Sequence, residues 1–257
     1  MELVASLFPG IDILGRGFRD AGFAVLQGPD LIFGTCIEGF ALPAGHIDGV
    51  IAGPPCQNYS DANRDRDQIE GDRLLLELLR TIDGARPAWF LVENVRRVPD
   101  LVMAPYQVQR IPLMDWEFGG RQLRLRHIQF GSLDRSIIRP LRTQARRPVT
   151  LSRTVLCKPG GPGDRPVRRA ALQGLQDLSL QAFRSGVARR LVGNAVPYHV
   201  ASALALAVIL RSPQTAADCV CLCGRLVTPP AKHATAACRK RMERRRRGHV
   251  RALTWPQ

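Results

Sequence analysis

Short apolar runs alternate with helical segments from residue 3 to residue 95 of the chain. Four runs have the length and apolarity of buried strands, and they lie at residues 3–8, 23–30, 46–53 and 88–95. Helical patterns separate them at 14–21 and from Asp72 to Gly84. This alternation is typical of parallel sheets, because the crossover between parallel strands usually contains a helix. The sequence therefore predicts an α/β fold with a doubly wound, mostly parallel sheet.

The remainder of the chain is less regular. Residues 123–132 have strand character, 169–178 predict a short helix, and 198–211 predict an apolar helix that packs on the sheet. After Ser212 the composition changes to Cys, Pro and Arg, which indicates a boundary. We expect one large domain followed by a small appendage.

The charge balance predicts a polyanionic partner. The 257 residues carry a formal net charge of +15, with a sequence pI of about 10.8. The excess arginine lies between Arg121 and Arg169 and in the C-terminal run CRKRMERRRRGHVR. The N-terminus lacks the basic region of a secretory signal, and no apolar run approaches the ~20 residues that cross a bilayer. We expect a cytoplasmic monomer without a membrane partner.

Two side chains follow the ends of predicted strands. Cys56 comes after a strand and two prolines, which cannot continue it, and Glu93 follows the next strand. Taken singly, they have the alternatives of a packed small residue and a surface carboxylate. Because the carboxyl ends of parallel strands share one edge where ligands bind, we expect both to face one pocket. A thiol and a carboxyl there suit covalent attack coupled to proton transfer.

Five short motifs in order carry a family resemblance. They are GPPCQNYS at 53–60, ENV at 93–95, RQLRLRH at 121–127, ALQGL at 171–175 and LVGNAVPYHVASAL at 191–204. The series resembles that of the cytosine-5 DNA methyltransferases, which transfer a methyl group from S-adenosylmethionine. Any one motif is weak, whereas five in order are specific. The resemblance implies a Rossmann-like methyltransferase fold.

The resemblance implies catalytic roles for four residues. Cys56 would attack C6 of a cytosine, so that C5 becomes electron-rich enough to take the methyl group. Glu93 would hold the N3 side of the base and assist protonation. Arg124 and Arg126 would contact the base and shape the pocket, where positive charge stabilises developing negative charge.

The resemblance also implies contacts with duplex DNA. Gln57 and Ser60 begin a polar run that would form the mobile loop closing over DNA, and Arg124 and Arg126 would share in binding. Cytosine C6 is unreachable inside a stacked duplex, so the base must be flipped out at a cost of roughly a few kcal/mol. Phosphate contacts of a basic protein offset that cost.

The segment SLFPGIDILGRGFRDAGF is similar to the first, cofactor-binding motif of the family. The implied contacts with S-adenosylmethionine are Phe8, Gly10, Asp30, Pro55, Asn194 and Val196. Asp12 and Ile13, however, stand where the family usually has glycines, and glycine permits the closest backbone approach to a ligand. At the third acidic position the chain has Thr35 or Cys36. These departures predict weaker cofactor binding than is usual for the family.

The same resemblance divides the chain into three parts. Residues 1–132 and 170–211 would form the catalytic domain, 133–169 a small target-recognition region, and 212–257 a Cys- and Arg-rich basic extension. Arginines in the recognition region suit either bidentate contacts with guanine or plain phosphate neutralisation, and both uses stay open.

Cysteines crowd the C-terminal extension. Seven cysteines in the chain are an odd number and fit reduced thiols or metal ligation better than a disulfide framework. Zinc sites pair ligands two to four residues apart, so Cys219 or Cys221 would pair with Cys223, and His233 with Cys238. A structural zinc knuckle and a disordered basic tail stay as alternatives.

The expected function is DNA (cytosine-5) methyl transfer from S-adenosylmethionine through a covalent adduct between Cys56 and C6 of a flipped cytosine. Two alternatives remain at this point. A catalytically degenerate relative would hold DNA without chemistry, as the altered cofactor motif allows. An RNA cytosine-5 methyltransferase would keep the chemistry on another polymer, since charge does not distinguish the two.

Overall fold

A computed structural model of the chain describes residues 1–144, 146–155, 165–181, 183–228, 230–248 and 250–255. Its strands, in chain order, are β1 (Leu3–Leu7), β2 (Ala24–Gln27), β3 (Gly49–Ala52), β4 (Trp89–Asn94), β5 (Asp100–Val102), β6 (Gln107–Met114), β7 (Leu125–Ser132), β8 (Ser136–Ile137), β9 (Ser212–Pro213) and β10 (Ala252–Thr254). Its α-helices are α1 (Ile13–Asp20), α2 (Gln68–Ala85), α3 (Pro166–Leu172), α4 (Ser185–Asn194), α5 (Tyr198–Ile209) and α6 (Ala236–Arg246). Short 3-10 helices span Leu31–Phe33, Gln57–Tyr59 and Asp115–Phe118. Parts of the predicted recognition region, at 145 and 156–164, and of the extension, at 229, 249, 256 and 257, lie outside the described residues.

Six strands form the central sheet in the order β2-β1-β3-β4-β7-β6. Strands β2, β1, β3 and β4 are parallel neighbours, whereas β7 runs antiparallel to both β4 and β6. Strand β7 is therefore the single reversed strand among the six, and the predicted α/β fold with a mostly parallel sheet is confirmed.

Helices cover both faces of this sheet. In β4, Trp89 and Leu91 point to one face, where they join a core shared with α1 and α5. Phe90 and Val92 point to the other face, where α2 contributes its leucines to a second core. Alternate residues of a strand face opposite ways, so a strand apolar throughout its length must be covered on both sides.

Several helices and strands are not predicted by the sequence patterns. Strand β6 contains Pro112, and its apolar and polar residues do not alternate regularly. It lies at the edge of the sheet, where a proline is tolerated. Helix α4 has mixed glycine, arginine and apolar residues, and charged residues predominate in α6. Helix α6 is capped by Thr235, whose hydroxyl accepts a hydrogen bond from Cys238 N.

The C-terminal extension packs against the preceding part of the chain. Strand β10 pairs with β5, and β9 pairs with β8. Arg245 of α6 forms an ion pair with Asp100 at 2.7 Å, and Arg139 forms one with Asp218 at 2.5 Å. The described part of the extension is thus folded onto the molecule, through pairings between residues very distant in sequence.

One segment of the described chain, Ser185–Ile209, is long and apolar enough to cross a membrane, which differs from the expectation that no run approaches that length. The structure divides this segment into α4 and α5, which are separated at Ala195 and Pro197. Within it, Ala201, Leu204 and Val208 are fully buried in the core against the sheet. Packing against the sheet accounts for the apolar character of the segment.

Substitution of Gly49 tests the packing of β3 against Trp89 of β4. A Cβ added at Gly49 would overlap the buried indole of Trp89, whereas one added at Gly84, in the exposed part of α2, would meet nothing within 4 Å. We expect Gly49→Ala to lower the free energy of unfolding by about 1–3 kcal/mol, because overpacking shifts a rigid ring. The free energy of unfolding is measured by denaturation in urea, monitored by circular dichroism.

Gly84→Ala is the matched control for this variant. It should leave stability unchanged or raise it by up to about 1 kcal/mol, because alanine is the better helix former. Equal stability of the two variants would contradict the close packing of β3 on Trp89.

Candidate functional site

The register of three parallel strands brings their ends together. Leu7 of β1 pairs with Ala52 of β3, and Ala52 pairs with Val92 of β4. The next residues, Phe8, Gly53 and Glu93, therefore lie side by side at the carboxyl edge of the sheet. A Cβ placed on Gly53 would lie 3.8 Å from the Phe8 carbonyl oxygen and 4.0 Å from Glu93 Oε2. Glycine leaves this junction open.

Cys56 and Glu93 line the same cavity of about 220 Å³ at this edge. Cys56 is half-buried and begins the 3-10 helix Gln57–Tyr59. Asn94, only 1% exposed, donates from Nδ2 to the Pro54 carbonyl at 3.2 Å and so ties the end of β4 to the loop that carries Cys56. The structure brings the predicted thiol and carboxyl to one pocket.

Arg126 pairs with the buried Glu93. Its Nε lies 2.7 Å from Glu93 Oε1, and its Nη1 donates to the Leu125 carbonyl at 2.8 Å. The contact with Glu93 is an ion pair without hydrogen-bond alignment, and Oε1 has no hydrogen-bond partner among the described residues. A buried carboxylate with unused acceptor capacity, lining a cavity, is suited to binding a donor on a ligand.

Arg124 lies behind the cavity and is 1% exposed. Its guanidinium donates to three carbonyls, those of Val155 at 2.9 Å, Gly193 at 3.0 Å and Ala195 at 2.9 Å. Burial lowers the pKa of Arg124, and the nearby charge of Arg126 lowers it further. Arg126 is among the residues that line the cavity, and Arg124 is not. The two arginines of the QLRLR segment thus differ in position.

Two glutamines extend this buried network. Gln122 Nε2 donates to the Leu172 carbonyl at 2.9 Å, and its Oε1 accepts from Val155 N at 2.9 Å. Gln173 Nε2 donates to the Val192 carbonyl at 2.7 Å. Gln173 and Arg124 therefore hold the turn after α4, and Gln122 connects this network to Val155 and to the end of α3. Sequence analysis assigned no role to either glutamine, although both fall within matched motifs.

The fixed turn presents Asn194 and Val196 to the cavity. Asn194 ends α4 and is exposed, whereas Val196 is 6% exposed. Both line the cavity, as does the half-buried Pro55. The predicted cofactor-binding residues therefore share the cavity of Cys56.

The loops after β1 and β2 also line the cavity. Phe8 and Gly10 have left-handed backbone conformations, with φ of 52° and 57°. Asp30 accepts hydrogen bonds from Gly10 N and Ile32 N, both at 2.8 Å. Leu31 and Ile32 are exposed at the cavity rim, and sequence analysis did not single them out. An acid beside exposed apolar side chains suits a ligand with both hydroxyl groups and a flat apolar ring.

Asp12 has the backbone conformation that a glycine would take. Its φ is 51°, in the left-handed region, which aspartate tolerates because its short side chain bonds locally. Asp12 accepts from Gly15 N at 3.1 Å and from Ser6 Oγ at 2.7 Å, and it forms an ion pair with Arg19 at 2.7 Å. Aspartate here preserves the turn that precedes α1, so the cavity residues fit S-adenosylmethionine despite the missing glycine.

The loop after Cys56 is anchored by Tyr59. This side chain is 1% exposed and donates a 2.7 Å hydrogen bond to Asp72 of α2. Burial raises the pKa of the Tyr59 phenol, and the bond to Asp72 raises it further. Gln57 is exposed and Ser60 half-buried, on either side of this anchor. Of these two predicted DNA-contacting residues, Gln57 lines the cavity and Ser60 does not.

Four cysteines come together in the C-terminal extension, away from this cavity. The sulfur atoms of Cys219, Cys221, Cys223 and Cys238 lie within 4.8 Å of one another. His233, which sequence analysis paired with Cys238, is not among the ligand atoms of this cluster. The cluster contains both cysteine pairs considered from the sequence, with a fourth thiol in place of the histidine.

A known protein family matches part of the chain. Residues 34–102 match the model of the family described as C-5 cytosine-specific DNA methylase. This segment contains Cys56 and Glu93. The predicted family resemblance is therefore confirmed.

Two curated relatives match longer stretches. The Type II methyltransferase M.AgeI of Thalassovita gelatinovora is 28% identical over 172 residues, which are 52% of this chain and 40% of the relative. The Type II methyltransferase M.NgoPII of Neisseria gonorrhoeae is 33% identical over 112 residues, which are 36% of this chain and 33% of the relative. The chain thus matches less than half the length of each of these relatives.

A solved structure extends the likeness in fold. The methyltransferase EhMeth of Entamoeba histolytica superposes with a TM-score of 0.59 at 12% identity, covering 82% of this chain and 99% of that one. At this identity the likeness concerns the fold alone, and it agrees with the Rossmann-like methyltransferase fold expected from the sequence.

Arg124→Lys tests the network that holds the turn after α4. Lysine keeps the charge but cannot reach three carbonyls from a planar fork, so we expect the free energy of unfolding to fall by about 2–4 kcal/mol. Chemical denaturation followed by fluorescence measures the change.

Arg126→Lys is the matched control, since lysine retains a cation beside Glu93 and only one carbonyl loses its partner. Its loss should stay below about 1.5 kcal/mol. An Arg124→Lys variant as stable as the control would contradict the structural role of the three hydrogen bonds.

Proposed function

We propose that this chain, a relative of the C-5 cytosine-specific DNA methylases, transfers a methyl group from S-adenosylmethionine to C5 of a cytosine in duplex DNA. The observation that carries the proposal is the single cavity lined by Cys56, Glu93 and Arg126 together with Phe8 and Asp30. One end offers a nucleophile and a carboxyl, and the other offers a cradle that fits the cofactor. Methyl transfer requires the bound cofactor and the cytosine to come into contact in this cavity.

Cys56 is the proposed nucleophile. Its Sγ bonds to C6 of the cytosine, and the electron pair of the 5,6 double bond becomes available at C5. Bound S-adenosylmethionine supplies the electrophilic methyl group. Transfer of the methyl group to C5 would leave S-adenosylhomocysteine. Loss of the C5 proton to water then restores the double bond as the bond between C6 and the Cys56 sulfur breaks. The Pro54–Pro55 turn and Asn94 hold Cys56 at the strand end for this attack.

Glu93 is the proposed partner of the base. Its Oε1 is buried without a hydrogen bond from the described residues, so it retains capacity to bind the N3 and N4 side of a cytosine. Arg126, 2.7 Å from Oε1, stabilises negative charge on the carboxylate and the ring. A proton held between Glu93 and N3 draws electrons from C6 and favours addition of the thiol.

Arg124 is proposed as a positioning residue. Its three hydrogen bonds hold the turn that carries Asn194 and Val196 at the cavity wall. This role replaces the direct base contact expected from the resemblance for Arg124. Arg126 keeps the expected place beside the base.

The cofactor cradle is proposed at the loops after β1 and β2. Asp30 would bind the ribose hydroxyls, Leu31 and Ile32 would cover the adenine ring, and Phe8 and Gly10 would border the amino acid end. The left-handed conformation of Asp12 supports a turn of the usual family shape. This observation favours the enzyme over the degenerate DNA-binding alternative.

DNA binding is proposed at the mouth of the cavity. The net charge of +15 favours phosphate contacts, which offset roughly a few kcal/mol for flipping the target base. Gln57 and Ser60 would contact the DNA near the extruded base, and the arginine-rich region 133–169 would read the flanking sequence.

The relatives are Type II methyltransferases, so the proposed setting is a restriction-modification system, with the chain acting as a monomer.

Replacement of Cys56 tests the chemistry. Wild-type chain incubated with duplex DNA and labelled S-adenosylmethionine should form 5-methylcytosine, and Cys56→Ser should lower the rate by more than about 10³-fold, because serine is a far weaker nucleophile here. The product is measured by nucleoside mass spectrometry. Duplex carrying 5-fluorocytosine, which cannot lose a C5 proton, should trap a covalent complex with wild type alone.

Gly84→Ala serves as the control, since it alters an exposed helix position remote from the cavity. Methyl transfer by Cys56→Ser at the wild-type rate would overturn the proposed nucleophile. Transfer RNA assayed beside duplex DNA separates the alternatives, because labelling of RNA alone would keep the chemistry and change the substrate.

Replacement of Asp30 tests the cradle. We expect S-adenosylmethionine to bind the wild-type chain and Asp30→Asn to weaken binding by about tenfold, because a charged acceptor for the ribose hydroxyls is lost. Isothermal titration calorimetry measures both dissociation constants.

Glu38→Gln is the matched control, because Glu38 is an exposed carboxylate outside the cavity lining. Its affinity should equal that of the wild type. Absence of any binding to the wild-type chain would favour the degenerate DNA-binding alternative instead.

A further inference from the structure

The buried thiol cluster of the C-terminal extension lies outside the proposed methyl-transfer site. Cys219, Cys221 and Cys223 come from one turn, and Cys238 comes from the first turn of α6. Their side chains are only 1%, 1%, 1% and 5% exposed. Four ligand-type atoms converge from two chain segments on one point, which is the arrangement of a structural metal site.

The distances between sulfurs fit a metal better than disulfides. Cys219 Sγ and Cys221 Sγ are 3.4 Å apart, and Cys223 Sγ and Cys238 Sγ are 3.6 Å apart. A disulfide requires about 2.05 Å. Four sulfurs bonded to a tetrahedral zinc ion at about 2.3 Å lie about 3.8 Å from one another. The observed spacing is close to that value.

The surroundings of the sulfurs suit thiolates. Ala234 N donates to Cys219 Sγ at 3.3 Å, and Thr235 Oγ1 donates to Cys238 Sγ at 3.2 Å. Arg225, which bonds to Glu117 at 2.8 Å, also interacts electrostatically with Cys223. Hydrogen-bond donors and cations around ligand sulfurs are the usual outer shell of a metal–thiolate centre.

The cluster segment of the extension has little apolar core of its own. The four cysteines form its buried cluster, and the apolar side chains packed against them are only the partly buried Val227, Ala234 and Met242 in the described residues. Apolar burial on this scale does not offset the conformational entropy of ordering the segment. Small domains with such cores are stabilised by metal ions, whose binding free energy becomes folding free energy.

We propose that Cys219, Cys221, Cys223 and Cys238 bind one structural zinc ion that folds the extension and docks it on the catalytic region. Zinc is favoured by four thiolates in a closed, buried, tetrahedral arrangement without an open position for a substrate. Each thiol releases its proton to solvent as its sulfur bonds to the ion. His233 takes no part in the site.

The metal site would fix contacts that join the extension to the sheet. From the ligand segment, Arg225 reaches Glu117, and from α6, Arg241 donates to the Arg110 carbonyl at 3.0 Å. Gly224, with φ of 69°, would clash mildly with the Ile138 carbonyl at 3.2 Å if it carried a Cβ, so the ligand turn lies directly on the region after β7. Loss of the ion should therefore release α6 and its arginines.

The test uses the full chain purified from zinc-containing medium. Inductively coupled plasma mass spectrometry should find one zinc per chain. Cys221→Ser and Cys238→Ser should each lower the zinc content to near zero, while Cys36→Ser, at an exposed thiol outside the cluster, and His233→Ala should keep it. After chelation, trypsin should cleave within 212–257 faster than in the zinc-bound chain.

A second measurement does not depend on the folding of variants. Wild-type chain stripped of zinc and titrated with Co²⁺ should develop the sulfur-to-cobalt charge-transfer absorption of a tetrahedral thiolate site. Wild type that contains no zinc and binds no Co²⁺ would overturn the proposal, as would disulfides between these cysteines in the peptide map. Loss of zinc in His233→Ala would overturn the assignment of the four ligands.

Discussion

The parallel register of β1, β3 and β4 is the constraint on which the proposed site depends. Pairing of Leu7 with Ala52 and of Ala52 with Val92 puts Phe8 and Gly53, which follow β1 and β3, beside Glu93 on one edge. The sequence pattern places Glu93 after the strand, but it lies within β4, because the strand continues to Asn94 in its pairing with β7. The backbone hydrogen bonds of this register also fix Glu93 within reach of the loop that carries Cys56. A shift by one residue would turn Glu93 toward the opposite face, because side chains alternate along a strand.

A buried polar network forms the second layer around this edge. Arg124 and Gln173 bind the backbone carbonyls of Val192, Gly193 and Ala195 on either side of Asn194, and Gln122 binds the Leu172 carbonyl. A buried guanidinium is costly unless its donors are used, and three of the donors of Arg124 meet carbonyls. The motif residues therefore divide into those that line the cavity and those that hold its wall in place.

The C-terminal extension combines docking with exposed positive charge. On α6, Arg241 and Arg245 turn inward to the Arg110 carbonyl and Asp100, whereas Arg244 and Arg246 remain exposed. The inward pair ties the helix to the sheet, and the exposed pair faces solvent. Composition alone describes both pairs as one basic run, although their surroundings differ.

The sequence by itself determined the alternating strands and helices, the two strand ends that carry Cys56 and Glu93, and the motif order, because these depend on local periodicity and on neighbouring residues. It left out β6, β10 and the inward-facing arginines, and it paired His233 with Cys238. Only the tertiary structure decided that Arg126 faces the cavity while Arg124 lies behind it, and that four cysteines converge. Those outcomes depend on contacts between residues far apart in the chain, whose partners no local pattern records.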